Sequence, residues 1–403
     1  MLGAMLSGFY FQGFSAFFLP LIDDFGTSRG VLSLSLSLGG VAGTLSGPLQ
    51  GIIIDRMGPR VTMLVAVAMA GTGLILVGTA HSLPILFLYL VLLVALGANA
   101  TVFPAASAVS HWFIRRRSLA LGLAMAGLGL GGVVVTLTNF LIENLGWRHA
   151  SMVMGGILLV VGLPLSSLMR RAPEPYGLQP DGDTSTAASR AGKRSAAEDE
   201  INFTVKEALA TRAFWCVAVS QMFRMFVAVA VGAHFIPAMV DKGLTSAQGA
   251  AIFGLFGIIT LPSRLLFGHF GDRWQKRFLA AGMHAAMGLS FIIYNLAGGT
   301  PLLVVFAVLY GIAWGGGGGT IELSMRAEYF GRRNFAKIQG LGQLLSAVSV
   351  MGGLSFAGFS YDKTGSYALA FFTFTGVIVL AMLAMLAAKR PYPNRMARGG
   401  SGG

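Results

Sequence analysis

The sequence predicts an all-α membrane protein of twelve transmembrane helices in two pseudo-symmetric six-helix bundles. Three observations lead there. Of the 403 residues 55% are hydrophobic and only 11% charged, whereas soluble globular domains carry about 25% charged residues. Basic residues gather in every second connection between apolar runs. A Gly-x-x-x-Asp-Arg segment also recurs at corresponding places in the two halves, as Gly51 to Arg56 and Gly268 to Arg273.

About 20 apolar residues cross a hydrocarbon core of about 30 Å, and twelve such windows follow in order. The first, 2–22, contributes Tyr10 and Gln12, and Met1 leads into it with no basic leader, so no cleavable signal peptide is expected. The second, 31–54, is rich in Ser and Gly, and the third, 61–80, follows Gly58-Pro59. The fourth, 84–110, carries Asn99 and Thr101. The fifth, 118–142, contains Gly127-x-Gly129-x-Gly131-Gly132, which no strand precedes, so it reads as helix packing rather than a dinucleotide loop. The sixth, 150–169, completes the first half.

The seventh, 213–238, holds Arg224 and the single Cys216, which excludes an intrachain disulfide. The eighth, 247–270, holds Arg264, and the ninth, 278–298, holds His284. The tenth, 301–325, carries Tyr310 and Trp314 and is interrupted by Gly315 to Gly319; no Lys-Ser/Thr follows, so the run is not a phosphate loop but a place for close helix contact or bending. The eleventh, 335–358, and twelfth, 366–388, end the second half.

The expected domains are an N-terminal bundle 1–171, a cytoplasmic linker 172–206, a C-terminal bundle 207–390, and a tail 391–403 ending in a linker-like Gly399 to Gly403. The linker is rich in Pro, Ser, Thr and Ala, and Phe203 to Arg212 can form a short surface helix before span seven. The net charge of +13 does not point to nucleic acid, because it lies in alternate connections: Arg56 and Arg60, Arg115 to Arg117, Arg170 to Arg212, Arg273 to Arg277, Arg332 to Lys337, and Lys389 to Arg398. The others hold only Arg29, Arg148, Lys242 and Lys363. The positive-inside rule therefore makes both termini cytoplasmic, with a bacterial inner membrane as the expected location. No Cys/His metal spacing and no nucleophile-base constellation appears, so neither an enzyme nor a metal or other cofactor is expected, and the expected state is a lipid-embedded monomer.

The paired segments around Gly51, Asp55, Arg56 and Arg60, and around Gly268, Asp272 and Arg273, resemble the loop signature of the major facilitator superfamily. That resemblance implies the major facilitator fold over about residues 1 to 390, with these loops controlling which side is open. Phe18 to Arg29, Pro173 to Gly182, His234 to Pro237 with Asp241 and Gly243, and Glu328 to Arg332 resemble bacterial oxalate/formate antiporters and monocarboxylate transporters.

Counting ~1.5 Å per helical residue puts Arg264 ~12 Å from Asp272 and Arg224 ~18 Å from Arg212, both near the midplane. A buried arginine stays charged and costs about 2.5–3.5 kcal/mol on insertion scales, so both need a partner or an aqueous cavity. Helical spacing groups Arg264 with Gly257, Thr260, Leu261 and Gly268, and Arg224 with Ser220, Gln221, Val227 and Ala228; these small or polar neighbours predict inward faces. Glu322, ~30 Å along span ten, is expected at the cytoplasmic edge beside Arg326, leaving the two arginines without a fixed carboxylate. A mobile carboxylate is the expected counterion, since it fits a guanidinium fork.

The resemblance implies that Arg264, four residues before Gly268, binds substrate carboxylate. Three departures from the relatives matter: Gln343 to Met351 lacks the span-eleven lysine of oxalate exchangers, Thr260 stands where animal-type monocarboxylate carriers have an aspartate, and the first span lacks the charged residue expected near its start. The expected function is secondary active transport of a small organic carboxylate, foremost a monocarboxylate, by alternating access, as proton symport or anion exchange. Arg264, Arg224, Trp314, Asn99, Thr101, Tyr10, Gln12 and Tyr310 are the candidate pocket residues, and His234 the candidate proton carrier. Two alternatives stay open, an efflux carrier for amphipathic compounds and an anion sensor on the same fold.

Overall fold

In the computed structural model, residues 13–101, 104–105, 108–109, 112–113, 117–170, 173, 176, 203–317, 320–331 and 335–391 are described. Among them the chain is helical throughout: α1 Phe14–Phe25, α2 Arg29–Leu45, α3 Gly47–Gly78, α4 Leu83–Asn99, α5 Arg117–Ser167, α6 Val205–Leu209, α7 Arg212–Asp241, α8 Ser246–Arg273, α9 Lys276–Leu296, α10 Thr300–Gly317, α11 Thr320–Phe330, α12 Phe335–Thr364 and α13 Ala368–Ala387. Seven helical stretches among the described residues are long and apolar enough to cross a membrane, and α4 and α10 are shorter apolar helices.

Two expected loops are single-residue reversals inside otherwise continuous helical assignments. Gly58, at φ 80° and ψ 162°, separates spans two and three within α3, and Gly146 does the same for spans five and six within α5. Only glycine enters that region without a Cβ clash, which is why the reversal sits at Gly58-Pro59. In α4 a π-helical turn at Leu90–Ala95 precedes Asn99, a local widening of the kind that re-aims side chains. The linker ends as expected in the short helix α6, opened by a capping box in which Thr204 and Glu207 satisfy each other's backbone amides. Phe203 is buried beside it, its amide donating to the Phe330 carbonyl at 3.0 Å.

The few charges in the sparsely basic connections meet at one end of the molecule. Arg148 pairs with Asp24 at 2.8 Å and donates to the Ala80 carbonyl. Lys242 donates to the Ala297 carbonyl. Asp362 accepts from the amides of Arg29 and Gly30 at 3.1 and 2.8 Å. On the opposite side Glu328 pairs with Lys276 at 2.6 Å and lies 3.8 Å from Arg390.

The halves meet along two seams, α2 against α12 and α5 against α8. Within the C-terminal half, Gly353 of α12 lies so close to the Phe226 carbonyl of α7 that a Cβ has no room. Gly315 and Gly316 of α10 press in the same way on Thr260, Ser263 and Phe267 of α8. The glycine run thus brings α10 against the turn of α8 that carries Arg264.

Candidate functional site

Arg224 is buried, 2% exposed, on the face of α7 shared with buried Ser220, Gln221, Val227 and Ala228. Its Nε and Nη2 donate to Glu322 Oε1 and Oε2 at 3.1 and 3.2 Å, the two-pronged geometry of a charge-assisted pair. Its guanidinium carbon lies 5.2 Å from the centre of the Trp314 ring, within cation–π range. The remaining nitrogen, Nη1, is buried and has no hydrogen-bond partner among the described residues.

This pair corrects the placement of Glu322 at the cytoplasmic edge. Helix does not stop near residue 325; α11 continues to Phe330. Glu322 therefore lies about 12 Å inside that end, at ~1.5 Å per residue, where the Arg224 side chain reaches it. Nor do the hydrogen bonds of Arg326 go to Glu322. It is itself buried, 4% exposed, and donates from Nη1 to the Gln339 side-chain oxygen and from Nη2 to that of Gln221. Arg326 is thus a third interior guanidinium, where only two basic residues were expected inside the spans.

Arg264 lies where the sequence placed it. Ile258, Pro262, Leu265 and Leu266 are exposed on the outer face of α8, while Gly257, Thr260 and Ser263 are buried on the inner side, with Arg264 half-buried between. The guanidinium of Arg224 is close enough to repel it. His284 of α9, 1% exposed, brings Nε2 to 3.7 Å from Glu322 Oε1. Arg224, Arg264, His284, Glu322, Arg326, Gln221 and Gln339 therefore form one polar cluster spanning five helices.

The remaining candidates divide. Trp314 borders the cluster, whereas Tyr310 is buried in an aromatic core, stacked on Phe256 with centroids 5.1 Å apart. Asn99, half-buried, lies against Gly43 of α2, its amide donating to the Ala95 carbonyl at 2.8 Å. Thr101 is buried and donates to the Ala98 carbonyl at 2.7 Å. Tyr10 and Gln12 lie outside the described residues, as do the side chains of Gly51, Asp55 and Asp272. Arg56, Arg60 and Arg273 are exposed and Gly268 half-buried.

His234 is in a different place, the seam between the halves. Ser33 donates its one hydroxyl proton to the Arg29 carbonyl at 2.6 Å, so its oxygen accepts from His234 Nε2 at 3.0 Å. Nδ1 shares a hydrogen bond with the Tyr367 hydroxyl at 2.8 Å. Both ring nitrogens are thus used, tying α7 to α2 and to the start of α13. Nearby, Arg29 lies over the Tyr361 ring at 3.5 Å, and Ser37 contacts the Met351 carbonyl and Ser355 across the same seam.

The sequence profile described as the Major Facilitator Superfamily matches residues 1–323. The chain belongs to that superfamily. Within it, the chain is 28% identical over 352 residues to monocarboxylate transporter 12 of Mus musculus, covering 81% of this chain and 71% of the relative. It is 25% identical to monocarboxylate transporter 13 of Rattus norvegicus over 378 residues, 92% of this chain and 82% of that one. Among solved structures of the superfamily, a D-xylose-proton symporter superposes with a TM-score of 0.75 at 15% identity, covering 95% of both chains. A bacterial homologue of the human lysosomal transporter Spinster, in an inward-facing and occupied conformation, gives 0.73 at 18% identity, covering 97% of this chain and 95% of that one. As a member of the superfamily the protein is a multi-pass membrane transporter of the secondary type and not an enzyme.

Proposed function

We propose that the protein carries a small organic carboxylate, foremost a monocarboxylate, by alternating access, with the anion bound between Arg264 and Arg224. The observation that carries this is the buried Nη1 of Arg224, a charged donor with no acceptor among the described residues, in a cluster that also holds a second guanidinium at Arg264. An unmet buried donor costs about 1–3 kcal/mol, more when charged, and one carboxylate supplies two oxygens to meet it. Arg264 gives the anion a two-pronged partner, Arg224 a further N–H, and the Trp314 ring a wall beside it.

The relatives support the substrate class, since those named above are monocarboxylate transporters. The closed seam of Arg29, Ser33, His234 and Asp362 supports a gate at the end away from the paired signature loops. With the basic connections cytoplasmic, that end faces outward and the termini face the cytoplasm of a bacterial inner membrane. Asn99 and Thr101, at the end of α4, form the N-terminal half's side of the path.

A thermal-shift screen over acetate, pyruvate, L-lactate, oxalate and D-xylose tests the reading. One or more carboxylates at 100 times Kd stabilise the purified protein by about 2.7 kcal/mol, and the sugar does not. Stabilisation by D-xylose alone, or by no carboxylate at millimolar concentration, contradicts it.

A further inference from the structure

We propose that the end of the molecule carrying the basic connections holds a binding site for an anionic phospholipid, its phosphate held by Arg277 and Arg390 between the start of α9 and the chain leaving α13. Three cations and one carboxylate meet there. Lys276 pairs with Glu328 at 2.6 Å, and Arg390, half exposed, approaches the same carboxylate at 3.8 Å. Arg277 and Arg390 are both close enough to Tyr329 to act on it electrostatically. The Tyr329 hydroxyl donates to the Ala388 carbonyl at 3.0 Å and so ties the exit of α13 to α11. Among the described side chains here, Arg277 and Arg390 carry more positive charge than Glu328, already bonded to Lys276, can neutralise.

The surroundings fit a lipid rather than a soluble anion. The guanidinium of Arg277 lies 4.5 Å from the centre of the Phe278 ring. Phe278 and, just past the end of α8, Trp274 are 53% and 62% exposed. Trp274 is held by stacking on Phe270, the rings 5.3 Å apart and 14° from parallel. Exposed aromatic rings of this kind sit at headgroup level in a membrane interface, and basic pockets between helix ends take anionic headgroups. Helical spacing continues the face of α9 that begins at Phe278 through Gly282, Ala285, Leu289, Ile292 and Leu296, all of them exposed. At Gly282 nothing lies within 4 Å of where a Cβ would stand. An acyl chain therefore has a path along this face from a phosphate held at Arg277, with the aliphatic stems of the basic side chains over its upper part.

Lipid-specific quenching tests this. The full chain is reconstituted in phosphatidylcholine vesicles containing a minor share of phosphatidylglycerol, with one lipid or the other brominated on its acyl chains so that it quenches any tryptophan it touches. Quenching of Trp274, taken by difference from Trp274→Phe, gives the preference of the site for phosphatidylglycerol. One basic side chain near the surface favours an anionic lipid by about 5-fold, ~1 kcal/mol. The wild type should therefore show a preference of at least about 5-fold, and the double variant Arg277→Gln with Arg390→Gln almost none. Glu328→Gln, which frees Lys276 and Arg390 from their shared acid, should raise the preference. Arg170→Gln, the same loss of charge at the exposed end of the other half, should leave it unchanged. Equal quenching by the two lipids in the wild type overturns the proposal, as does a preference that survives the double change or falls in Glu328→Gln. An equal fall in Arg170→Gln reports diffuse surface charge and overturns it too. So does displacement of the brominated lipid by millimolar inorganic phosphate at constant ionic strength, which assigns these cations to a soluble anion.

Discussion

Removing one member of the Arg224–Glu322 pair should cost more than removing both. In Arg224→Gln the carboxylate, 2% exposed, loses two charge-assisted hydrogen bonds and stays buried. Breaking a buried ion pair from one side costs about 3–5 kcal/mol. At ~2–4 °C per kcal/mol for a unit the size of a six-helix half, the melting temperature falls by roughly 6–20 °C. Glu322→Gln leaves Arg224 near Arg264 and Arg326 without its one carboxylate partner, and the loss is of similar size. In the double variant no unmatched carboxylate or carboxylate-dependent arginine is left, so the total is smaller than the sum of the singles. Thermal unfolding of the four proteins in one detergent, treated as a double-mutant cycle, measures the difference. Additive shifts, or single variants within about 1 °C of wild type, refute a pair worth several kcal/mol.

Three further outcomes follow from the same contacts. Arg264→Lys keeps the charge but loses the planar fork, and carboxylate affinity in titration calorimetry should fall about 10- to 100-fold, the equivalent of one or two lost charge-assisted hydrogen bonds. Gly353→Ala forces a Cβ into the Phe226 carbonyl; the separation of α7 from α12 should cost about 1–3 kcal/mol or more, visible as a lower melting temperature. Asp362→Asn removes the charge that caps α2 at Arg29 and Gly30, worth about 1 kcal/mol. In a Cys216→Ala background, a cysteine at Ser37 should then react several-fold faster with a membrane-impermeant thiol reagent, whereas an unchanged rate denies Asp362 a role in holding the seam.

What the sequence made legible was whatever depends on one helix at a time. The inward face of Arg264 followed from Gly257 and Thr260 one or two turns away, that of Arg224 from Ser220 and Val227, and the helix before span seven from Thr204 and Glu207. The reversal at Gly58-Pro59 and the repeated loop were local as well. The Arg224–Glu322 bond joins residues 98 apart in sequence, and no periodicity reports which turns of two helices share a depth. The misplacement of Glu322 came from ending span ten where its hydropathy fades, although the rod continues to Phe330 through polar residues. Glu322 and Arg326, opposite charges four apart on one helix face, were the available sign that this turn faces the interior. The partners of His234 lie on α2, α12 and the start of α13, far apart in sequence, and its bond to Ser33 forms only when the two halves assemble.

Counterflow in proteoliposomes tests the central claim most directly. Vesicles are preloaded with unlabelled pyruvate or L-lactate, and the uptake of the labelled form is followed for wild type and for Arg264→Gln. A carboxylate carrier gives a transient accumulation in wild type that collapses in the variant, with no such signal for D-xylose. Counterflow that survives Arg264→Gln, or that appears for D-xylose and for neither carboxylate, contradicts an anion bound between Arg264 and Arg224.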